Sequence, residues 1–317
     1  MESSLTIRPY RISDLDDVLE TLKAALGESP ILKRTPALWA WKHEHNPFGP
    51  SLVLVAEMGG RLAGVRALMR WDLALPDGTL LRCLRAVDTA THPDFERRGI
   101  FRKLTNDAVE VARQKNYDLI FNTPNDRSGA GYLTMGWRRV GTIGVMLRPL
   151  MSRGAKVDPD SPPDPADFFE PVPAPFAAGE VPQRSSSGLR TPRSREYLAW
   201  RFNGHPSVKY RATSDEKATV VARANIRQGR KEVVLSDILG RANRRSVAAL
   251  ARKARATYVA GWFSPRSPER RAAILAGMVP VPGVRSLTLV ARPLRELPMD
   301  VFDLANWDLA MSDLELL

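Results

Sequence analysis

A short stretch that begins at His92, HPDFERRGIFRKL, places a glycine and several basic residues at the start of an amphipathic run. The glycine is Gly99, and the basic side chains are Arg97, Arg98, Arg102 and Lys103. A helix start carries unpaired backbone N–H groups and about half a positive charge, so it attracts anions. Arginine adds forked donors that suit a phosphate. Basic residues at the N-terminus of a helix oppose its dipole, so stability alone does not explain them. The stretch therefore favours a phosphate-binding turn over a helix that merely begins with solvated charges, although it matches neither the P-loop nor the dinucleotide fingerprint.

The elements around this turn are predicted from apolar periodicity and turn residues. A strand, Leu80 to Thr91, precedes the turn, and a helix from Gly99 to about Asn116 follows it. The remaining predicted elements, in chain order, are the strand LTIR, helices at 14–26 and 36–45, strands at 51–57 and 61–71, the strand YDLIFNT, the short helix GAGYLTMG and a strand at 137–147. This order predicts an α/β fold with a mixed α+β sheet and at least one parallel strand pair.

Composition limits the class of protein and its partners. The 317 residues suffice for two domains, and no apolar run reaches the roughly 18 residues that span a bilayer. We therefore expect a cytoplasmic protein without a membrane partner, either a monomer or a homodimer. A single cysteine, Cys83, and four scattered histidines predict no metal site. The formal charge of +12 favours an anionic partner, but the basic residues are scattered without interleaved aromatics, which disfavours nucleic acid.

A change of composition divides the chain. Closely spaced prolines between Pro149 and Pro192 disfavour regular hydrogen bonding. We interpret residues 151–190 as a proline-rich linker between a first domain, residues 1–150, and a second, residues 191–317.

The two halves share landmarks in the same order, which favours a diverged repeat over chance. Trp41 and Pro47 reappear, with the same spacing between them, as Trp200 and Pro206. Further on, a second and smaller offset relates the pairs Tyr117 and Tyr258, Pro124 and Pro265, Gly136 and Gly277, and Val140 and Val281. Because the offset shrinks between the two groups of landmarks, the second copy is shorter in the interval that holds the glycine turn in the first copy. The turn therefore belongs to the first copy alone.

The runs VDTATHPDFERRGIFRKL and FNTPNDRSGAGYLTMGW resemble the acetyl-CoA-binding core of the GNAT acyltransferase superfamily, in its branch with a bulky residue after the motif glycine. The resemblance extends over roughly residues 4 to 148 in element order and implies a GNAT fold. With the repeat, it implies two tandem GNAT-like domains, the second degenerate. Two positions depart from the usual motif, which has Arg or Gln at the place of Glu96 and Gly or Ala at the place of Phe101. Phe101 would narrow the turn, and Glu96 is expected to point away from the ligand.

The resemblance also implies the roles of individual residues. The backbone of Thr89, Ala90 and Thr91 would pair with the pantetheine of acetyl-CoA, and Asn125 would lie near the same arm. The amides from Arg97 to Arg102, which include Arg98, Gly99, Ile100 and Phe101, would hold the pyrophosphate. Tyr132 would protonate the departing thiolate as a general acid, although helical spacing by itself favours a core aromatic there.

The second copy lacks these groups, because Ala273 stands at the place of Tyr132 and Arg266 at the place of Asn125. Asp88, in the strand before the turn, is a candidate base for the attacking amine, or else a buried carboxylate that bonds the backbone. No metal is implied.

The leading hypothesis is transfer of an acetyl group from acetyl-CoA to a primary amine of a small molecule or peptide, with an acidic acceptor favoured by net charge. Two alternatives remain. One is a Fem-type aminoacyl or peptidyl transferase that uses aminoacyl-tRNA, and the other is a non-catalytic acyl-CoA-binding module.

Overall fold

The computed structural model describes residues 4–29, 32–150, 187–281 and 286–314. Most of the predicted proline-rich linker lies outside these residues. Among the described residues, no helix is long and apolar enough to cross a membrane. The same residues contain no cluster of three or more His, Cys, Asp or Glu side chains that could hold a metal ion.

The described residues up to 150 form a first set of strands and helices. In chain order the elements are β1 (Thr6–Pro9), α1 (Leu15–Leu26), α2 (Pro36–His43), β2 (Leu52–Met58), β3 (Arg61–Arg70), β4 (Leu73–Ala74), β5 (Leu80–Leu81), β6 (Cys83–Thr91), α3 (Ile100–Gln114), β7 (Leu119–Asn122), α4 (Asp126–Thr134), β8 (Arg138–Ile143) and β9 (Met146–Pro149).

From residue 187 onward, the described chain forms a second set of elements. These are α5 (Arg195–Leu198), which continues as the π-helical turn Ala199–Asn203, then β10 (Tyr210–Ser214), β11 (Ala218–Arg227), β12 (Arg230–Gly240), α6 (Arg244–Lys253), β13 (Tyr258–Gly261), α7 (Pro268–Leu275), β14 (Val279–Pro280), β15 (Leu287–Pro293) and α8 (Met311–Leu314).

The chain divides into two compact units that are discontinuous in sequence. Unit 1 takes its described residues from 1–73, 80–140 and 289–302, and unit 2 takes them from 74–79, 141–288 and 303–317. Unit 1 contains a seven-stranded sheet in the order β1-β2-β3-β6-β7-β15-β8, and unit 2 a six-stranded sheet in the order β10-β11-β12-β13-β9-β14. Both sheets are mixed, with parallel pairs β6–β7 and β12–β13. The predicted mixed α/β fold is therefore confirmed.

The two units exchange one strand each. Strand β15, from the later part of the chain, pairs with β7 in unit 1, whereas β9 pairs with β13 and β14 in unit 2. The domains predicted from sequence are contiguous segments, whereas each unit takes one strand from the other half of the chain. The single strand predicted at residues 137–147 is accordingly two strands, β8 and β9, which belong to different sheets.

The core of unit 1 explains the position of its helices. Helix α1 buries Val18, Leu19 and Leu22 against one face of the sheet, and the apolar positions of α3 pack in a second cluster with α4. A side chain at Gly64 of β3 would approach the Ala90 carbonyl oxygen to 3.0 Å and Ile100 Cγ2 to 3.1 Å. The absence of a side chain at Gly64 thus lets the first turn of α3 lie directly on the sheet.

Candidate active site

The glycine turn is the N-terminus of α3, as its sequence predicts. Gly99 is the N-cap residue with a φ of 74°, and Arg97 also has a positive φ, of 61°. Gly99 offers no side-chain cap, and α3 has no acidic residue in its first turn. A side chain built at Gly99 would meet nothing within 4 Å, so the backbone here can be approached closely. The first amides of α3 lack intrahelical acceptors and form an anion site with the dipole.

The basic side chains of the turn are exposed. Arg98 donates to Met58 Sδ at 3.4 Å, and Arg102 donates to Thr134 Oγ1 at 3.3 Å. Lys103 pairs with Asp107 on the solvent side of α3. Because these are weak surface contacts, the arginines can turn toward a phosphate at little cost.

Phe101 leans away from the turn and onto α4. Its ring atom Cε1 lies 3.0 Å from the position that a Cβ would take on Gly131. The ring also packs edge-on against Tyr132, with 5.6 Å between centroids. The bulky residue after the motif glycine is thus accommodated by a glycine on the neighbouring helix.

The strand that leads to the turn has an open edge. Strand β6 pairs with β7 only from Cys83 to Arg85, although β6 itself continues to Thr91. On its other edge, β6 pairs with β3 throughout, with Thr89 opposite Arg66 and Thr91 opposite Gly64. Thr89, Ala90 and Thr91 therefore lie where β6 has separated from β7, and an extended ligand could pair with the backbone there. Asn125 caps α4, since its Oδ1 accepts from the Ser128 amide at 3.0 Å.

Tyr132 lies below this open edge with a buried side chain, 3% exposed. Its ring contacts Trp137 at 5.0 Å between centroids, and its hydroxyl accepts a hydrogen bond from Arg66 Nη1. The same nitrogen of Arg66 donates to Thr89 Oγ1 at 2.8 Å. Tyr132 is therefore both a core aromatic and a hydrogen-bonded group next to the strand expected to bind the pantetheine.

Asp88 is a bulge residue of β6 with a positive φ of 39°, and its carboxylate points at α2 and the segment before it. Arg34 Nη1 donates to Oδ1 at 3.2 Å, and Lys42 Nζ donates to Oδ2 at 2.9 Å. His43 Nε2 lies 3.2 Å from Oδ2. Burial would raise the pKa of Asp88, but Lys42 and His43 outweigh it and hold that pKa far below its usual range. A carboxylate held this way is a weak base, so the geometry does not favour Asp88 as the proton acceptor.

His43 is also poorly suited to accept a proton from the attacking amine. Burial lowers the pKa of the His43 imidazole in spite of the Asp88 carboxylate. Its other ring nitrogen, Nδ1, lies 2.9 Å from Ser51 Oγ, so both ring nitrogens are engaged. Asp88, Arg34, Lys42 and His43 thus form an anchor between the bulged strand and α2.

Sequence reasoning missed Arg66, Arg34 and Lys42. Arg66 stands in the apolar run LAGVRALM of β3, and a charged residue within such a run was the available signal. The offset that relates Trp41 to Trp200 also relates Arg34 to Arg193 and Lys42 to Arg201, so the repeat could have indicated this pair.

Comparisons with known proteins agree with this geometry. Residues 6–140 match the family model described as acetyltransferase (GNAT) domain. No curated protein matches the sequence.

Solved structures share the fold at low identity. A GCN5-related N-acetyltransferase from Anabaena variabilis aligns with a TM-score of 0.62 at 10% identity, over 92% of this chain and 73% of that chain. One from Kribbella flavida aligns with a TM-score of 0.57 at 15% identity, over 92% and 71% of the respective chains. A tandem GNAT protein from the clavulanic acid biosynthesis pathway aligns with a TM-score of 0.52 at 16% identity, over 94% of this chain and all of that chain, 100%.

At these identities the likeness shows the fold, and the family match covers the unit with the glycine turn. The chain therefore has a two-domain GNAT fold and carries a GNAT acetyltransferase domain at residues 6–140, and it is an enzyme of the acyltransferase class.

Proposed function

We propose that the protein transfers an acetyl group from acetyl-CoA to a primary amine, and that unit 1 holds the active site. The observation that carries this proposal is the start of α3, where Gly99 leaves the first amides uncapped at the end of a strand with an open edge. An uncapped helix start beside exposed arginines suits a pyrophosphate. An open strand edge suits the amides of a pantetheine arm.

The proposed binding mode assigns each predicted residue to one part of acetyl-CoA. The backbone of Thr89, Ala90 and Thr91 pairs with the pantetheine amides. The amides from Arg97 to Arg102 bind the pyrophosphate, and Asn125, at the start of α4, lies near the arm. Phe101 belongs to the branch of the family with a bulky residue here, and its contact with Gly131 supports an open turn.

In the proposed reaction, a neutral amine attacks the thioester carbonyl and forms the new C–N bond. The C–S bond then breaks, and its electron pair remains on sulfur. Tyr132 gives its hydroxyl proton to that sulfur, and solvent later restores it. The amine also loses a proton, and the ion pairs of Asp88 support assigning this step to water or to a group on the acceptor.

We further propose that unit 2 is a degenerate copy without a cofactor site. Ala273 stands where unit 1 has Tyr132, and the N-cap of the corresponding helix is Ser267 where unit 1 has Asn125. The acceptor is a small molecule or peptide amine, and the formal charge of +12 favours an acidic one.

Thermal shift measurements with acetyl-CoA, free CoA and tRNA test the cofactor. A ligand that binds only the folded protein raises its melting temperature, so acetyl-CoA and CoA are expected to do so. Stabilisation by tRNA without stabilisation by acetyl-CoA would support the Fem-type alternative and contradict the proposal.

Thiol release over a panel of amines tests catalysis, with Tyr132→Phe as the matched variant. We expect acetyl-CoA-dependent thiol release with at least one amine and a large loss of rate in Tyr132→Phe. Binding of acetyl-CoA without release for any amine would indicate a binding module.

A further inference from the structure

The environment of Arg66 is unusual for a buried charge. Its side chain is fully buried, 0% exposed, and its Nε and Nη2 atoms have no hydrogen-bond partner among the described residues. No carboxylate among the described residues forms an ion pair with Arg66. A buried charge without a counter-ion is costly, and burial of unpaired donors adds to that cost. The position therefore needs a reason other than stability.

Unit 2 shows that the fold does not require an arginine at this place. Arg66 reaches Tyr132 on the face of β3 that packs against α3 and α4, and the residues of β11 that pack against α6 and α7 are Val220, Ala222 and Ala224. The corresponding face of β11 thus carries small or branched apolar side chains, and the counterpart of Tyr132 is the buried Ala273. The arginine and the tyrosine are both present in unit 1 and both replaced in unit 2.

The hydrogen bonds around Arg66 have a fixed direction. A guanidinium has no acceptor, so Arg66 can only donate to Tyr132 and to Thr89. Thr89 uses its own proton to bond the Val87 carbonyl oxygen at 3.1 Å. The phenol oxygen of Tyr132 accepts from Arg66, so its proton cannot point back along that bond. The network of Arg66, Thr89 and Tyr132 contains two hydroxyl protons. The Thr89 proton is already bonded, so the Tyr132 proton is the one that can go to a ligand.

We propose that Arg66 is a positioning residue that aims the Tyr132 proton at the departing sulfur and supplies the positive charge that stabilises the negative charge developing as the C–S bond breaks. This inference rests on the proposed acetyl transfer. As the C–S bond breaks, sulfur keeps the electron pair and takes the phenol proton. The phenolate that remains is held by the hydrogen bond from Arg66 Nη1 until solvent reprotonates it, and the unpartnered Nε and Nη2 keep the charge uncompensated for the developing anion.

A double-mutant cycle tests the coupling, with Arg66→Met, Tyr132→Phe and the double variant assayed on the fastest amine of the panel. Arg66→Met is expected to lower kcat by about 10-fold to 100-fold, as for loss of a charge-assisted hydrogen bond, with KM for acetyl-CoA nearly unchanged. In the Tyr132→Phe background the same change is expected to lower kcat by less than about threefold, because both residues act on one proton transfer. Additive losses would overturn the proposal.

Two variants separate positioning from folding. Arg66→Lys keeps the charge and is expected to recover part of kcat. Arg70→Met removes an arginine from the same strand, one that pairs with Asp72, and is expected to leave kcat unchanged. Equal losses of kcat in Arg66→Met and Arg70→Met would indicate a structural effect and overturn the positioning role.

A binding measurement gives a result even where no amine reacts. Free CoA is compared with desulfo-CoA, the analogue without the thiol, at pH 7 and pH 9. A thiolate beside a guanidinium is favoured, so the preference for CoA is expected to rise about tenfold with pH in the wild type and to stay flat in Arg66→Met. An equal rise in Arg66→Met would contradict the proposal. Failure of the wild type to bind either ligand would instead overturn the proposed function.

Discussion

The helix that follows the bulged strand begins differently in the two units. In unit 1, α3 begins at Gly99, which supplies no cap. In unit 2, α6 begins after Asn243, whose Oδ1 accepts from the amides of Arg245 at 2.9 Å and Ser246 at 3.0 Å. The Ser246 hydroxyl also donates to Asp215, which lowers the pKa of that carboxyl to about 2. The helix start of unit 2 thus has a side-chain cap, whereas that of unit 1 has none.

Both units nevertheless keep the cationic anchor over the bulge. Arg34 pairs with Asp88 in unit 1, and its counterpart Arg193 pairs with both Asp237 and Asp313 in unit 2. The shared feature joins the helix region to the strand, and the features that differ are those proposed to bind and protonate the ligand. The comparison teaches that this repeat retained its structural ion pairs while the groups expected to bind and protonate the ligand remained in one copy.

The largest expected effect on ligand binding comes from placing a negative charge at the helix start of unit 1. Gly99→Asp should lower acetyl-CoA affinity by more than about 100-fold, since a carboxylate would face the pyrophosphate. Gly99→Asn is the isosteric control, and both residues tolerate a positive φ. Calorimetric titration measures the affinities. Equal losses in the two variants would mean that sterics, and not charge, decide binding.

The number of acetyl-CoA sites per chain tests the same difference between the two units. A cleft of about 690 Å³ adjoins the start of α6, lined by Asn243, Arg241, Arg244 and Arg271 among others. Because Asn243 and Asp215 already engage this helix start, we expect one acetyl-CoA per chain, and none in Gly99→Asp. Two sites per chain by calorimetry would refute the assignment of unit 2 as degenerate.

Removal of the carboxylate that pairs with the conserved-offset arginine, Asp88 in unit 1 and Asp237 in unit 2, should cost more in unit 1 than in unit 2. Asp88→Asn leaves Arg34 and Lys42 without their shared counter-ion and should cost about 3–5 kcal/mol of stability. Asp237→Asn leaves Arg193 with Asp313, so about 1–3 kcal/mol is expected. Hydrogen exchange at β6 and at β12 measures the two effects separately. A larger loss in Asp237→Asn would reverse the proposed difference.

The anchor of unit 1 also predicts a pH dependence. The folded pKa of Asp88 lies below its unfolded value, so its contribution is present above about pH 4 and is lost as the pH falls further. The stability difference between the wild type and Asp88→Asn should therefore be constant from about pH 5 to 7 and shrink below about pH 4. Denaturant unfolding across this range measures it, and a difference that stays constant in strong acid would argue against the ion pairs.

The smallest effect concerns the cap of unit 2. Asn243→Ala should cost about 1 kcal/mol, because two amides of α6 lose their acceptor, whereas Asn243→Asp keeps a cap. Hydrogen exchange in α6 measures the change. If Asn243→Ala also created a second acetyl-CoA site, the cap would be the feature that closes unit 2 to the cofactor.

Local patterns predicted the position of several elements of the candidate site. Gly99 and the apolar positions after it identify the start of α3, because helix periodicity and turn residues act over a few neighbours. Tyr132 was found through its motif, and the repeat was found through residues such as Trp41 and Trp200. The role of Asp88 was less accessible, since its cationic partners lie 45 to 54 residues away in sequence.

The sequence by itself predicted the order of most helices and strands up to residue 150, the glycine turn with its arginines, and the presence of that turn in one copy, because each depends on neighbouring residues or on a comparison of two segments. Only the tertiary structure decided that β9 and β15 belong to the sheets of opposite units, that Asp88 is held by an anchor, and that Arg66 donates to Tyr132. These features join residues far apart in the chain, and strand pairing and burial of charge depend on which distant segments come together in the fold.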